Sequence, residues 1–305
     1  MTIRITTQMT SNLMTKGINK NYADVFKTYQ QITSGKKFTE MSENPTDGSK
    51  ILKYNKQLDQ LGDWSKNIAT ANDELNMAYD TLSLVNDNLT RINDLVIQAS
   101  NSANSEESIA ALKQEIEART LSIAQLANTK YQDKYLFAGS NTTQIPYIVD
   151  EETMSAEYKG TPSDGSWGRN IEISEGVTIP VNVNGEDVFG DGTMGIFATL
   201  KEISDAMQEG AIDFDKIRAS LDPLQEGIRK VVSNQASITS RVQKLEATSS
   251  INSDVTLGLT ERKSNLQDTD LVEAASNLSR YQMALQASMQ AGTSILNSTS
   301  LLDFI

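Results

Sequence analysis

The chain has 305 residues, a net charge of -13, and neither cysteine nor histidine. The missing residue types exclude disulfides, thiolate nucleophiles, zinc-thiolate sites and imidazole general bases, and the acidic balance argues against a surface built to neutralise nucleic-acid or lipid phosphate. The length suffices for two domains, or for one elongated body with an insertion.

Residues 1–34 are predicted as a helix after a short extended start at Ile3 to Ile5, with Ile18, Tyr22, Val25, Tyr29 and Ile32 on one side. No charged residue occurs from Ile5 to Thr15, although 22% of the chain is charged. A solvent-facing helix normally covers its outer side with Lys and Glu, so Met9, Leu13 and their uncharged neighbours are expected to be enclosed. No apolar signal segment follows Met1 and no run of about eighteen apolar residues exists, so neither a cleaved secretion signal nor a membrane span is expected.

Two clusters of turn formers, Ser34-Gly35-Lys36-Lys37 and Ser42-Glu43-Asn44-Pro45-Thr46-Asp47-Gly48, break this helix, and the second can cap the next. The following helix is predicted from about Ser49 to Ala99. Along it Trp64, Ile68, Ala71, Leu75, Ala78, Leu82, Val85, Leu89, Ile92, Val96 and Ala99 alternate steps of four and three. That average of about 3.5 residues marks the seam of a left-handed coiled coil, and a seam needs a partner of similar length. Ile217, Leu221, Leu224, Ile228, Val231, Ile238, Val242 and Leu245 keep the same alternation downstream, with Gln235 as the polar interruption, which predicts an antiparallel pair. A polar connection at Asn101 to Ser105 and the acids Glu106 and Glu107 start a further helix, whose Ile109, Leu112, Ile116, Ile123 and Leu126 return along the first.

Between Gly139 and Gly195 lie nine of the seventeen glycines and three of the five prolines, which ends the helical regime and predicts a small inserted β domain. Tyr147-Ile148-Val149, Ile171-Glu172-Ile173 and residues 177–183 read as strands, and Asn184-Gly185 ahead of Glu186-Asp187-Val188-Phe189 as a two-residue hairpin turn. Helical pattern resumes at Ile196, with Pro223 either tolerated near the first turns of the long seam or kinking it, and Gly258 as a possible joint. The final stretch places Leu271, Leu278 and Leu285 seven apart, adds Ala275, Met289, Ile295, Leu296, Leu301 and Leu302, and carries no charge from Tyr281 to Leu302. Uncharged amides and hydroxyls can be buried when each finds a hydrogen bond, which ions cannot unless paired. Both chain ends are therefore expected to pack against neighbouring copies and to order on assembly.

No catalytic constellation emerges. Glu106-Glu107 and Glu151-Glu152 are adjacent in sequence and do not face each other on a helix. Gly190-Asp191-Gly192 with Gly195 lacks the lysine and spacing of a phosphate loop, and Asn182, Asn184, Glu186 and Asp187 do not fit a calcium loop. No enzyme activity, cofactor or metal is expected.

Several runs resemble the bacterial flagellins and, more closely, the hook-filament junction branch of that family. They are Ile3-Arg4-Ile5-Thr6-Thr7-Gln8-Met9, Gln31-Ile32-Thr33-Ser34-Gly35-Lys36-Lys37 with Ser42-Glu43-Asn44-Pro45, and Leu266-Gln267-Asp268-Thr269-Asp270-Leu271-Val272-Glu273-Ala274. Tyr135-Leu136-Phe137-Ala138-Gly139-Ser140 with Pro146-Tyr147 and the ending Leu301-Leu302-Asp303-Phe304 point to the junction branch. The resemblance implies a mainly α chain with an inserted small β domain, built as a long antiparallel coiled-coil-like bundle with paired N- and C-terminal helices. It implies terminal assembly helices at 1–48 and 261–305, a helical core at 49–134 and 196–260, and the β domain at 135–195. It further implies a non-enzymatic subunit exported by the flagellar type III system, forming a ring of its own copies between a first hook-associated junction protein and flagellin. An export chaperone would hold the C-terminal helix, and neither nucleic acid nor membrane insertion is expected. Assembly would rest on Met9, Leu13, Leu271, Leu278, Leu285, Met289, Leu296, Leu301 and Leu302, and the core on Trp64, Ile68, Leu75, Leu82, Leu89, Ile228, Val231, Ile238, Val242 and Leu245. A short flagellin and a cytosolic helical scaffold are the alternatives.

Overall fold

The computed structural model describes residues 7–150, 153–162 and 168–302, with side-chain surroundings described to residue 294; the expected extended start at Ile3 to Ile5 lies outside the described residues, as do Glu151 and Glu152. In chain order come α1 (Thr7–Ser34), α2 (Pro45–Ala99), α3 (Glu106–Ala127), β1 (Lys130–Tyr131), β2 (Lys134–Tyr135), β3 (Tyr147–Val149), β4 (Ala156–Tyr158), β5 (Asn170–Ser174), β6 (Val177–Pro180), α4 (Gly185–Phe189), α5 (Ile196–Ala206), α6 (Phe214–Ala219), α7 (Leu221–Gln267) and α8 (Leu271–Leu302). The chain divides into two units, one of residues 1–60 with 255–305 and one of residues 61–254. Both α2 and α7 contribute to each.

The 55-residue helix α2 begins four residues earlier than expected, because Asn44 caps it. The Asn44 side chain accepts the backbone N–H of Asp47 at 3.2 Å and donates to the Asp47 carboxylate at 2.8 Å, with Pro45 at the first helical position, where its missing N–H costs nothing. In the larger unit the seam of α2 is its core: Ala71, Leu75, Leu82, Val85, Leu89, Ile92, Val96 and Ala99 are inaccessible to solvent. Opposite them Val231, Ile238 and Leu245 are buried, while Ile228 and Val242 pack at the edge of the same cluster. Ile68 and Leu245 line one groove, and just past the other end of α2 the Ser100 carbonyl accepts from Arg218 Nε of α6, the short helix that leads into α7, at 3.2 Å, so the two long helices run antiparallel. Helix α3 returns along α2, tied by Arg119 Nη1 to Asn88 Oδ1 at 3.2 Å and by the Arg91–Glu115 ion pair at 3.1 Å.

Among the described residues, three two-stranded antiparallel sheets lie between Lys130 and Pro180, pairing β1 with β2, β3 with β4, and β5 with β6. Their inward side chains Tyr147, Ile173 and Ile179 belong to the same hydrophobic cluster as the helices. Two details differ from the sequence reading. Asn184-Gly185 is not a hairpin turn: Asn184 is the N-cap of α4, its side chain accepting from Glu186 N at 3.0 Å and from Tyr158 Oη at 2.7 Å. Gly185 is needed there because its N–H donates to the Phe137 carbonyl at 2.9 Å, and a Cβ would lie 2.6 Å from that oxygen. Gly258 is not a joint either, since α7 passes through it unbroken. The break in the downstream seam falls at Ser220, between α6 and α7.

Candidate assembly site

In the smaller unit α1 and α8 pair antiparallel. Asn21 Nδ2 donates to Ser288 Oγ at 2.7 Å and to the Ala284 carbonyl at 3.4 Å. At the other end Lys37 N donates to the Gln267 carbonyl at 2.7 Å, and Thr269 N to the Gly35 carbonyl at 2.9 Å. The facing side chains repeat in steps of four and three. On α1 they are Met14, Ile18, Asn21, Val25, Thr28 and Ile32, and on α8 Ala274, Leu278, Tyr281, Leu285, Ser288 and Gly292; all are buried or half-buried.

The side expected to gather Ile18, Tyr22, Val25, Tyr29 and Ile32 therefore splits. Ile18, Val25 and Ile32 face α8, whereas Tyr22, Phe26 and Tyr29 form an exposed aromatic stripe at 65%, 62% and 60% accessibility. Steps of four and three starting from Met14 identify the inward set, and the aromatic residues lie about 100° away per residue of offset. Of the residues expected to carry assembly, Met9, Leu13, Leu271 and Met289 are exposed, joined by Val272 at 81% and Met283. Leu278 and Leu285 lie half-buried in the seam of the pair. Leu296, Leu301 and Leu302 fall in the last turns of α8, and their side chains lie outside the described residues. The core residues Ile68, Leu75, Leu82, Leu89, Val231, Ile238 and Leu245 are buried, and Trp64, Ile228 and Val242 half-buried.

Exposed large apolar side chains normally occur singly, whereas Tyr22, Phe26 and Tyr29 follow one another along one side of α1 in steps of four and three. The aromatic stripe itself runs beside Lys20, Asp24 and Lys27, and Leu271 and Val272 lie between Asp270 and Glu273. Near the chain ends, the helices offer instead hydroxyls, amides and thioethers, which can be enclosed without an ion to desolvate.

The polar groups that could suggest chemistry are spent on holding loops. The Asp191 carboxylate accepts from Met194 N and Thr193 N, each at 2.8 Å, and from the Thr193 hydroxyl, and these bonds, the one from Met194 first, hold it below the usual carboxylate range. Asn182 Oδ1 accepts Arg169 N at 2.8 Å. Tyr147, Tyr158, Phe189 and Phe197 stack into a buried cluster with centroid spacings from 5.0 to 5.9 Å, closed by Tyr147 Oη on the Gly190 carbonyl at 2.7 Å. Burial pushes both tyrosine hydroxyls well above their ordinary value. Asn128, just past α3, clamps Tyr147 by accepting its N–H at 3.0 Å and donating to its carbonyl at 2.8 Å.

Sequence reasoning missed one buried polar knot. Glu74, on the inward side of α2, pairs with Arg169, and Arg241 of α7 donates to the carbonyls of Asn182 at 3.1 Å and Pro180 at 3.4 Å. Nothing in the local pattern around position 74 signals it, because the partners lie far along the chain. Among the described residues no group of three or more His, Cys, Asp or Glu is placed to hold a metal ion, and no helix is long and apolar enough to cross a membrane.

Residues 5–142 match the bacterial flagellin N-terminal helical region. Over 95% of its length the chain is 24% identical to flagellar hook-associated protein 3 of Escherichia coli strain K12, covering 96% of that protein. Among solved structures, a flagellar hook-associated protein of Vibrio parahaemolyticus superposes with a TM-score of 0.67 at 18% identity, covering 74% of this chain and all of that one. FlgL of Bacillus cereus superposes at 0.58 with 26% identity, covering 69% of this chain and 98% of that one.

Proposed function

We propose that this chain, a flagellin-type relative of flagellar hook-associated protein 3, is a structural subunit that joins the hook-side junction ring to the filament. The observation that carries the reading is the exposed stripe of Tyr22, Phe26 and Tyr29, with Leu271, Val272 and Met283 on the paired helix: large apolar side chains left without cover in a single copy. Neighbouring copies would cover it. A contact between two different faces, repeated head to tail, generates a ring when the rotation closes, and each ring then presents one face toward a first hook-associated junction protein and the other toward flagellin.

Export through the flagellar type III apparatus without a cleaved signal, with a chaperone holding the C-terminal helix until assembly, suits a chain that has no disulfide to reduce before passage. It would place the working subunit outside the cell. Enzymatic chemistry has no role in this reading.

The test is electron microscopy of a strain lacking the chain. Hooks without filaments, with flagellin shed into the medium, is the expected outcome; filaments of normal length would contradict it. Purified protein that grows alone into long filaments would instead identify a filament subunit.

A further inference from the structure

The seam between α1 and α8 repeats every seven residues on both helices, so apolar contact alone would accept a pairing slipped by one repeat. Besides the backbone bonds of Lys37 and Thr269 at one end of the pair, two side-chain features within the seam refuse the slip. The half-buried Asn21 amide donates to Ser288 Oγ at 2.7 Å, and Ser288 in turn donates to the Ala284 carbonyl at 2.8 Å. Toward the chain ends the buried Gly292 sits against Met14, where a Cβ would come within 2.7 Å of the sulfur. A slip in one direction would set Tyr281 opposite Asn21 and the bulk of Leu285 where Gly292 now lies. In the other direction Ile295 would come opposite Asn21, and the amide would lose its hydroxyl acceptor and keep at best a long bond to a backbone carbonyl, such as the one it now makes to Ala284 at 3.4 Å.

We infer that Asn21, through Ser288, sets the register in which the terminal helices pair. A single polar residue in an apolar seam trades some stability for one alignment, the best-attested use of such groups. Its purpose rests on the assembly reading above: the outer stripe of Tyr22, Phe26 and Tyr29 and the exposed Val272 and Met283 lie on different helices, and a fixed register presents them to a neighbour in one arrangement.

The chain has no cysteine, so pairs can be placed at will. In the full-length protein, Met14→Cys with Gly292→Cys reports the observed register, and Met14→Cys with Leu285→Cys reports a slip of one repeat. With Asn21 intact, mild oxidation should favour the first pair by about tenfold or more; in an Asn21→Leu background that preference should fall by about threefold or more. Ser288→Ala, which removes the acceptor and leaves the helix surface otherwise unchanged, should erode the preference in the same direction. An undiminished preference in Asn21→Leu would overturn the inference, and so would the absence of a cross-link at the first pair with Asn21 in place. The readout lies within one chain, so it stands or fails apart from the deletion strain that tests the flagellar role.

Discussion

Leu82 and Leu84 sit two residues apart on the same helix and face opposite fates. Leu82 is wholly buried in the α2 seam, whereas Leu84 is about half exposed. Leu82→Ala should therefore cost about 2–5 kcal/mol of stability, combining lost transfer energy with an unfilled cavity, while Leu84→Ala should stay within about 0.5 kcal/mol. Thermal or denaturant melts of the two variants check both. Tyr147 sets a second expectation. Burial raises its folded-state pKa above the ordinary 10.0, so its contribution is fully present below that value and is lost as pH rises beyond it, when the unfolded chain ionises first. Melts above pH about 10 should show alkaline destabilisation, and Tyr147→Phe should lessen that slope while losing the hydrogen bond to Gly190 at every pH.

At the scale of elements, the outer stripe of α1 can be separated from its seam. Replacing Tyr22, Phe26 and Tyr29 together by Ser should leave α1 paired with α8, because none of the three lies in the seam, and should abolish incorporation into flagella; normal swimming by cells carrying only that variant would contradict the assignment. Leu285→Asp is expected to act differently, by placing a charge in the seam and opening the pair itself, which amide exchange in the isolated chain would register. How these elements could be read from sequence follows from where their partners lie. The α2 seam was legible because its period is local and unbroken over many turns. The composition shift after Gly139 likewise announced the insertion. The cap at Asn184 was not legible, because the groups that decide it, the Phe137 carbonyl and the Tyr158 hydroxyl, come from distant turns and override a strong local hairpin signal. The stripe on α1 was half legible: helical spacing was evident, but aromatic residues and aliphatic ones are equally apolar, and the polar Asn21 and Thr28 interrupt the true seam, which hides from the local pattern that this set faces inward.

For the whole molecule, the absence of histidine removes the one side chain whose ordinary pKa falls near neutrality. The shifted carboxylates Asp47, Glu115, Asp191 and Asp213 are all lowered by hydrogen bonds. Lowered acids contribute fully above their unfolded pKa and lose that contribution as pH falls through the folded one, so the melting temperature should be flat from pH about 6 to 8 and fall only in the acid range. The central claim is that neighbouring copies cover the outer faces of the terminal helices. Hydroxyl-radical footprinting of Tyr22, Phe26, Tyr29 and Met283, in the isolated chain and in intact flagella, tests it most directly. Labelling reduced by about tenfold in flagella is the expected result, and equal labelling in the two states would contradict it.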